Sequence, residues 1–208
     1  MVDYGSFGKS VCESAAVIKS LAVSTDGWEV HTKASASNGG VLMEYQDGLN
    51  DSPERCYRLF GQNPNKSPHE LCDLLWSWGK NEWNREGDVL DWVIYKESPR
   101  MLYQRNKLPW PVADRDFVME IGRFTDLNTK GQFLAMKSVI DEEKAPRSDG
   151  TVRANAILSA FYFMPHDSGT GSTIIRIAQI DSQGSIPSAI KKMAASAQIK
   201  SIQGLCKL

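Results

Sequence analysis

The spacing of apolar positions changes period along the chain, and each change marks an element. Between Ser10 and Ala22 the residues Val11, Ala15, Ile18 and Leu21 recur at helical intervals, while Glu13 and Lys19 fall elsewhere. That spacing predicts an amphipathic helix over about 8–23. The segments 28–33, 40–46 and 55–61 are instead short, rich in Val, Tyr and Phe, and bounded by Asp-Gly, Asn-Gly and Ser-Pro. They read as three strands joined by turns. Ser67-Pro68-His69-Glu70 then opens a second helix, because serine can cap orphan amides and proline is tolerated in a first helical turn. The apolar face of that helix is Leu71, Leu74, Leu75 and Trp78.

Beyond Asn84, six more strands are expected, at 89–96, 101–107, 115–124, 131–140, 152–164 and 172–180, with short connections. Successive strands without crossover helices imply an antiparallel meander. From 186 to 208, Ile190, Met193, Ala194, Ala197, Ile199, Ile202 and Leu205 describe one long terminal helix. There is no internal repeat and no low-complexity linker. The expectation is an α+β fold, a curved nine-stranded antiparallel sheet whose concave side receives the terminal helix. A single domain over 1–208, with its core over about 28–205, fits a chain of this length.

Composition narrows the function classes. Lys plus Arg number 24 against 25 for Asp plus Glu, a net charge of −1, so no electrostatic feature calls for nucleic acid. With 41% hydrophobic and 24% charged residues the chain reads as a folded, soluble domain. No stretch approaches the ~20 apolar residues that span a bilayer, and the N-terminal segment does not lead into a signal peptide's apolar run. A cytoplasmic setting is expected. Cys12, Cys56, Cys72 and Cys206 lack CxxC spacing, which indicates reduced structural thiols rather than a metal site or a disulfide framework. His31, His69 and His166 have no motif partners, and no G-x-S-x-G, H-E-x-x-H, Walker or Rossmann pattern occurs. No catalytic residue and no cofactor is expected.

Three segments carry a family likeness. Pro109-Trp110-Pro111-Val112-Ala113-Asp114-Arg115-Asp116-Phe117 resembles the PWPxxxRDF segment of START domains, the steroidogenic acute regulatory protein-related lipid transfer family. Val152-Arg153 through Ser159-Ala160 resembles the family's VRxxxxxSG strand, with Ala160 in place of the usual glycine. Gln179-Ile180-Asp181-Ser182-Gln183-Gly184-Ser185-Ile186-Pro187 is similar to the QxDxxGxxP turn before the family's terminal helix. Glu82-Trp83 and the strand from Val89 match less tightly. The likeness covers about 28–205, in the family's order. The motif residues also have a physical reading as fold determinants: prolines that enforce a loop, a glycine free to take positive φ, and a proline suited to a first helical turn.

The resemblance implies a helix-grip fold with a cavity between sheet and terminal helix, and a function of binding one lipid and carrying it between membranes. Such a protein is expected to be a monomer that meets membrane surfaces transiently. Alternation proposes the lining. Phe117, Met119 and Ile121 share one face of a strand, Leu134, Met136 and Ser138 another, and Ile157, Phe161 and Phe163 a third. Tyr103 and, on the terminal helix, Ile190, Met193, Ala194 and Ala197 complete the candidate lining. The family pattern further implies a buried acid at Asp91, while Ile121 stands where its arginine partner would be. That leaves Arg105 or Arg123 as a partner, or solvation of Asp91, and favours a phospholipid over a sterol. By the same resemblance Leu108 and Trp110 form a gate, although a tryptophan between prolines also suits plain loop packing. Cys206-Lys207-Leu208 resembles a peroxisomal address but equally a helix ending. A lipid sensor acting through a protein partner, and an enzyme with a helix-grip pocket, are the rival classes.

Overall fold

The computed structural model describes residues 2–3, 9–83, 88–167 and 169–208. Elements follow in the order β1 (Val2–Asp3), α1 (Lys9–Val23), β2 (Glu29–Thr32), β3 (Leu42–Gln46), β4 (Cys56–Asn63), α2 (Pro68–Ser77), α3 (Lys80–Trp83), β5 (Val89–Glu97), β6 (Arg100–Asn106), β7 (Asp114–Asp126), β8 (Gln132–Ser138), β9 (Thr151–Arg153), β10 (Asn155–Pro165), β11 (Ser172–Asp181) and α4 (Ser188–Cys206). Residue 8, the expected start of the first helix, lies outside the described residues. The second helix begins as its sequence requires: Ser67 Oγ accepts from the Glu70 amide, Glu70 Oε2 accepts from the Ser67 amide at 2.8 Å, and Pro68 occupies the first turn.

The main path of the sheet runs β2-β3-β4-β11-β10-β8-β7-β6-β5. It is antiparallel throughout, but it is not one meander. Two runs of strands meet where β4 pairs with the last strand, β11, from Asn63 opposite Ser172 to Cys56 opposite Gln179. The strand expected over 152–164 is two. β9 runs parallel to the start of β7, Ala154 breaks the run by donating its amide to Asp116 O, and β10 then pairs with β8 and β11. Period-2 patterning reports which residues share a face, not which strand lies alongside, so neither feature was readable from it.

Each face of the sheet carries a core. On one, α2 and α4 bring Leu71, Leu75, Ile202 and Leu205 against Leu59, Met119, Leu134, Phe161 and Ile174. On the other, α1 lays Val11, Ala15, Ile18 and Leu21 on Phe124, Phe133, Leu158, Tyr162 and Ile177. Charge fixes the C-terminal half of α1 at two points. Arg58 donates to Leu21 O and Ser24 O at 2.6 and 2.7 Å, satisfying carbonyls at the helix C-terminus, and pairs with Glu44 at 2.6 Å. Lys19 reaches the buried Asp126 at 2.8 Å, which also accepts from Tyr162 Oη at 2.9 Å.

The motif segments converge on one another rather than on open space. Asp116 holds Arg153 through two bonds, Nε to Oδ1 at 3.0 Å and Nη2 to Oδ2 at 3.1 Å. Arg115 donates to Ser182 O and Gln183 O at 2.6 and 3.0 Å, clasping the turn before α4, where Gly184 has φ +72°. These residues therefore place β7, β9 and the turn before α4 relative to one another.

Candidate functional site

Where α4 crosses the sheet it leaves a cavity of about 340 Å³. Phe117 and Met119 of β7, Met136 of β8, and Ala156, Ser159 and Phe161 of β10 form its floor. Gln104 and Asn106 of β6 and Trp92 of β5 close one side, with Trp78 and Trp83 from the α2–α3 corner. β11 contributes Arg176, Ala178 and Ile180, and α4 covers the space with Ala194, Ala197, Gln198, Ser201 and Ile202. Exposed Glu82, Ala194 and Lys200 mark the rim.

An aromatic wall separates this space from solid core. Trp83 stacks on Trp92 with centroids 5.1 Å apart, meets Trp78 edge-on at 5.1 Å, and lies 5.9 Å from Phe161. Behind the wall only about 10 Å³ remains, bordered by Leu75, Ile121 and Leu134. That is room for roughly one water.

Of the residues expected to line the cavity, Phe117, Met119, Met136, Phe161, Ala194 and Ala197 come together in it. Ile121 and Leu134 share their face but pack behind the tryptophans. Ile157 is corrected: the register slips between Ala156 and Leu158, so Ala156 and Ser159 point inward and Ile157 packs on the α1 side. Asp91 and Tyr103 are corrected too. With Gln104, Asn106 and Trp92 inward, alternation sends Tyr103, Arg105 and Asp91 to the opposite face. There Asp91 stands opposite Arg105, whose guanidinium pairs with Asp114 at 2.8 Å. Burial, then Asp116 and Asp91, raise the Tyr103 hydroxyl above its ordinary value. Arg123 pairs instead with Asp73 at 2.7 Å. On α4, Met193 is 58% exposed and Ile190 half-buried beyond the cavity, because the inward stripe runs 194, 197, 198, 201. Leu108 is half-buried and Trp110 is 92% exposed on its loop, which settles against loop packing of the indole.

The residue that sequence reasoning missed is Arg176. It sits on β11 between Ile174 and Ala178, on the inward face, and a charge interrupting an apolar face was the signal available. Arg176 is half-buried at the cavity, and the loss of water around its guanidinium pushes its pKa down to about 10, so it stays charged at neutral pH. It donates to Ala160 O at 3.0 Å, to Ser159 Oγ at 2.9 Å and to Ile177 O, with its Cζ 4.8 Å from the Phe161 ring centre. Among the described residues no carboxylate pairs with it. Trp83 Nε1, Trp92 Nε1 and Gln198 Oε1 are buried at the same cavity without hydrogen-bond partners.

Such a chamber, with a sheet floor, a helix lid and a few inward polar groups, can take up an apolar ligand and offer it hydrogen bonds. Among the described residues no group of His, Cys, Asp or Glu is arranged to hold a metal ion. The family model for the START domain matches residues 10–207.

The chain belongs to the START domain family.

Solved START structures superpose on it. Human STARD10 is 18% identical, over 92% of this chain and 77% of its own, with a TM-score of 0.72. Human StAR-related lipid transfer protein 5 is 15% identical, over 95% of this chain and 96% of its own, at 0.73. A STAR-related lipid transfer protein fragment from Xanthomonas axonopodis is 19% identical, over 88% and 100%, at 0.65. At these identities the likeness establishes the fold. No curated protein sequence matches the chain. The START assignment explains why the three motifs converge structurally, since they build the helix-grip frame around the cavity.

Proposed function

We propose that this START domain binds a single lipid in the cavity beneath α4 and carries it between membranes, with a phospholipid as the ligand. The observation that carries the reading is the chamber of about 340 Å³ beneath α4, largely apolar on its floor yet presenting the open N–H groups of Arg176. Withdrawing an acyl chain from water is worth about 0.8 kcal/mol per methylene, which supplies the affinity without any catalytic step. An arginine with two open N–H groups favours a lipid with several acceptor atoms over a sterol with its one hydroxyl. The solved neighbours named as lipid transfer proteins support transport as the use of the site.

Trp110 on its exposed loop is suited to a membrane interface, and with Leu108 it forms the gate of this proposal. The working site is a cytosolic membrane surface that the monomer visits transiently. No helix among the described residues is long and apolar enough to cross a membrane. Leu208 packs partly buried against the core, which favours a helix ending over a peroxisomal address for Cys206-Lys207-Leu208. Transfer of fluorescent phospholipid between donor and acceptor vesicles tests the reading. Acceleration at catalytic protein concentrations is expected. Lipid binding without acceleration would turn the carrier into a sensor, and no binding would end the proposal.

A further inference from the structure

We infer that Arg176 is the head-group site of the cavity and that the ligand carries an anionic group, a phosphate or a carboxylate, which reaches it from the cavity. This rests on the lipid-binding reading above and names the ligand class. A guanidinium has five N–H groups. Three of those of Arg176 are engaged by Ala160 O, Ile177 O and Ser159 Oγ, which leaves Nε–H and one Nη2 hydrogen. All of the engaged acceptors are neutral. A cation partly withdrawn from water and held by neutral oxygens alone is costly, because nothing returns the charge–charge attraction that offsets its desolvation.

The other arginines drawn into the fold are matched by an acid or spent on a turn. Arg58 has Glu44 and Arg153 has Asp116, each through a short ion pair. Arg115 is without an acid, but its guanidinium is spent on the carbonyls of Ala113, Ser182 and Gln183 in the turn before α4. Arg176 alone of these lines the cavity. Lys200 also lines it, but at the exposed rim.

The surroundings of Arg176 are aromatic, and the acids that line the cavity, Glu82 and Asp88, do not pair with it. Phe161 lies under the guanidinium and next to Trp83, which stacks on Trp92, so Arg176 and the two indoles share one aromatic wall. Both indole N–H groups are buried without acceptors. An indole can only donate, so neither competes with an anion for the guanidinium. The oxygens of a phosphate or carboxylate can accept from both open Arg176 N–H groups at once, whereas a lone hydroxyl supplies one oxygen.

The test compares ligands with one oleoyl chain and different heads: oleoyl-lysophosphatidate, oleate and uncharged monoolein, titrated into delipidated protein with tryptophan fluorescence as the readout. Wild type is expected to bind an anionic ligand at least about tenfold more tightly than monoolein, the scale of one charge-assisted hydrogen bond. The better of the two anionic ligands tells phosphate from carboxylate. Arg176→Met should lose that preference, its affinity for the anionic ligands falling to the level of its affinity for monoolein, and Arg176→Lys should restore part of it. Lipid-free Arg176→Met is expected to melt at or above the wild-type temperature, since it removes an uncompensated charge. Equal affinity of wild type for charged and uncharged ligands, or a preference that survives in Arg176→Met, would overturn the inference and leave the carrier reading intact. Failure of all three ligands to bind wild type would remove both. A lipid-free Arg176→Met protein that melts well below wild type would assign the arginine a structural role instead.

Discussion

Gly61 of β4 lies against Ile202 of α4 so closely that a methyl group on Gly61 would stand 2.6 Å from Ile202 Cγ2 and 2.7 Å from Cys206 Sγ. The terminal helix thus rests on bare backbone where it closes the cavity. Asn63, two residues along the same strand, holds the helix end by donating to Leu205 O at 2.8 Å. Gly61→Ala must push the helix outward. Overpacking of this kind costs about 1–3 kcal/mol, which for a domain of this size lowers the melting temperature by about 2–4 °C per kcal/mol. Hydrogen exchange should quicken in α4 and leave α1, on the other face of the sheet, unaffected. Equal melting temperatures and equal α4 exchange would show that the helix does not depend on this approach.

Asp116 and Arg153 predict a different pattern of loss. Their side chains are 0% and 10% exposed, and Arg153 also donates to Ala145 O at 3.1 Å, so the pair pins the 139–150 connection as well as β9. Asp116→Asn keeps the shape but strands a buried guanidinium, at a cost of about 3 kcal/mol or more. Asp116→Asn combined with Arg153→Met removes both charges and should recover at least half of that loss in urea unfolding. Simple addition of the two single costs in the double variant would mean the two residues act independently.

Sequence carried much of the architecture and less of the site, for physical reasons that these residues illustrate. Helix periodicity and the Ser67-Pro68 start were local signals, and local structure obeyed them. Motif residues such as Asp116, Arg153 and Gly184 were visible because a particular side chain or φ angle is required there. The pairing of β4 with β11 is a long-range relation that no local period encodes. Alternation placed Phe117, Met119, Met136 and Phe161 on the cavity side, but one bulge at Ala156–Leu158 was enough to turn Ile157 away. Arg176 was hidden for another reason: its significance lies in the absence of an acid near it, and spatial neighbours across strands are not written in a linear sequence.

Acid should unfold this protein partly through Asp126. Burial alone would raise its carboxyl, but hydrogen bonds from Lys19, the Asn128 amide, Tyr162 and Thr129 outweigh that and hold it well below the usual carboxylate range. A carboxyl depressed on folding contributes stability that is complete above its unfolded value, near 3.9, and is lost as pH falls below it. Wild-type stability should therefore decline from about pH 4 downward. Asp126→Asn should cost about 3 kcal/mol at neutral pH and flatten that acid limb. Melting curves at several pH values check both; an acid limb of unchanged slope in the variant would assign the acid sensitivity to other carboxyls.

Filling the cavity separates container from contents. Ile121 is a poor place to do so, since it packs behind the tryptophan wall beside about 10 Å³ of free space and a larger side chain there would strain the core. Ala197 lines the cavity of about 340 Å³ from α4, where an indole can enter vacant volume without displacing packed atoms. Ala197→Trp is expected to hold its melting temperature to within about 3 °C, corresponding to roughly 1 kcal/mol in a domain of this size. Its lipid uptake from vesicles should fall by about tenfold or more, because the chamber lies near the lower end of the roughly 300–1,000 Å³ range of ligand pockets and has little volume to spare. Wild-type loading in a folded Ala197→Trp protein would mean that the lipid occupies some other surface, and the chamber beneath α4 would lose its claim to be the binding site.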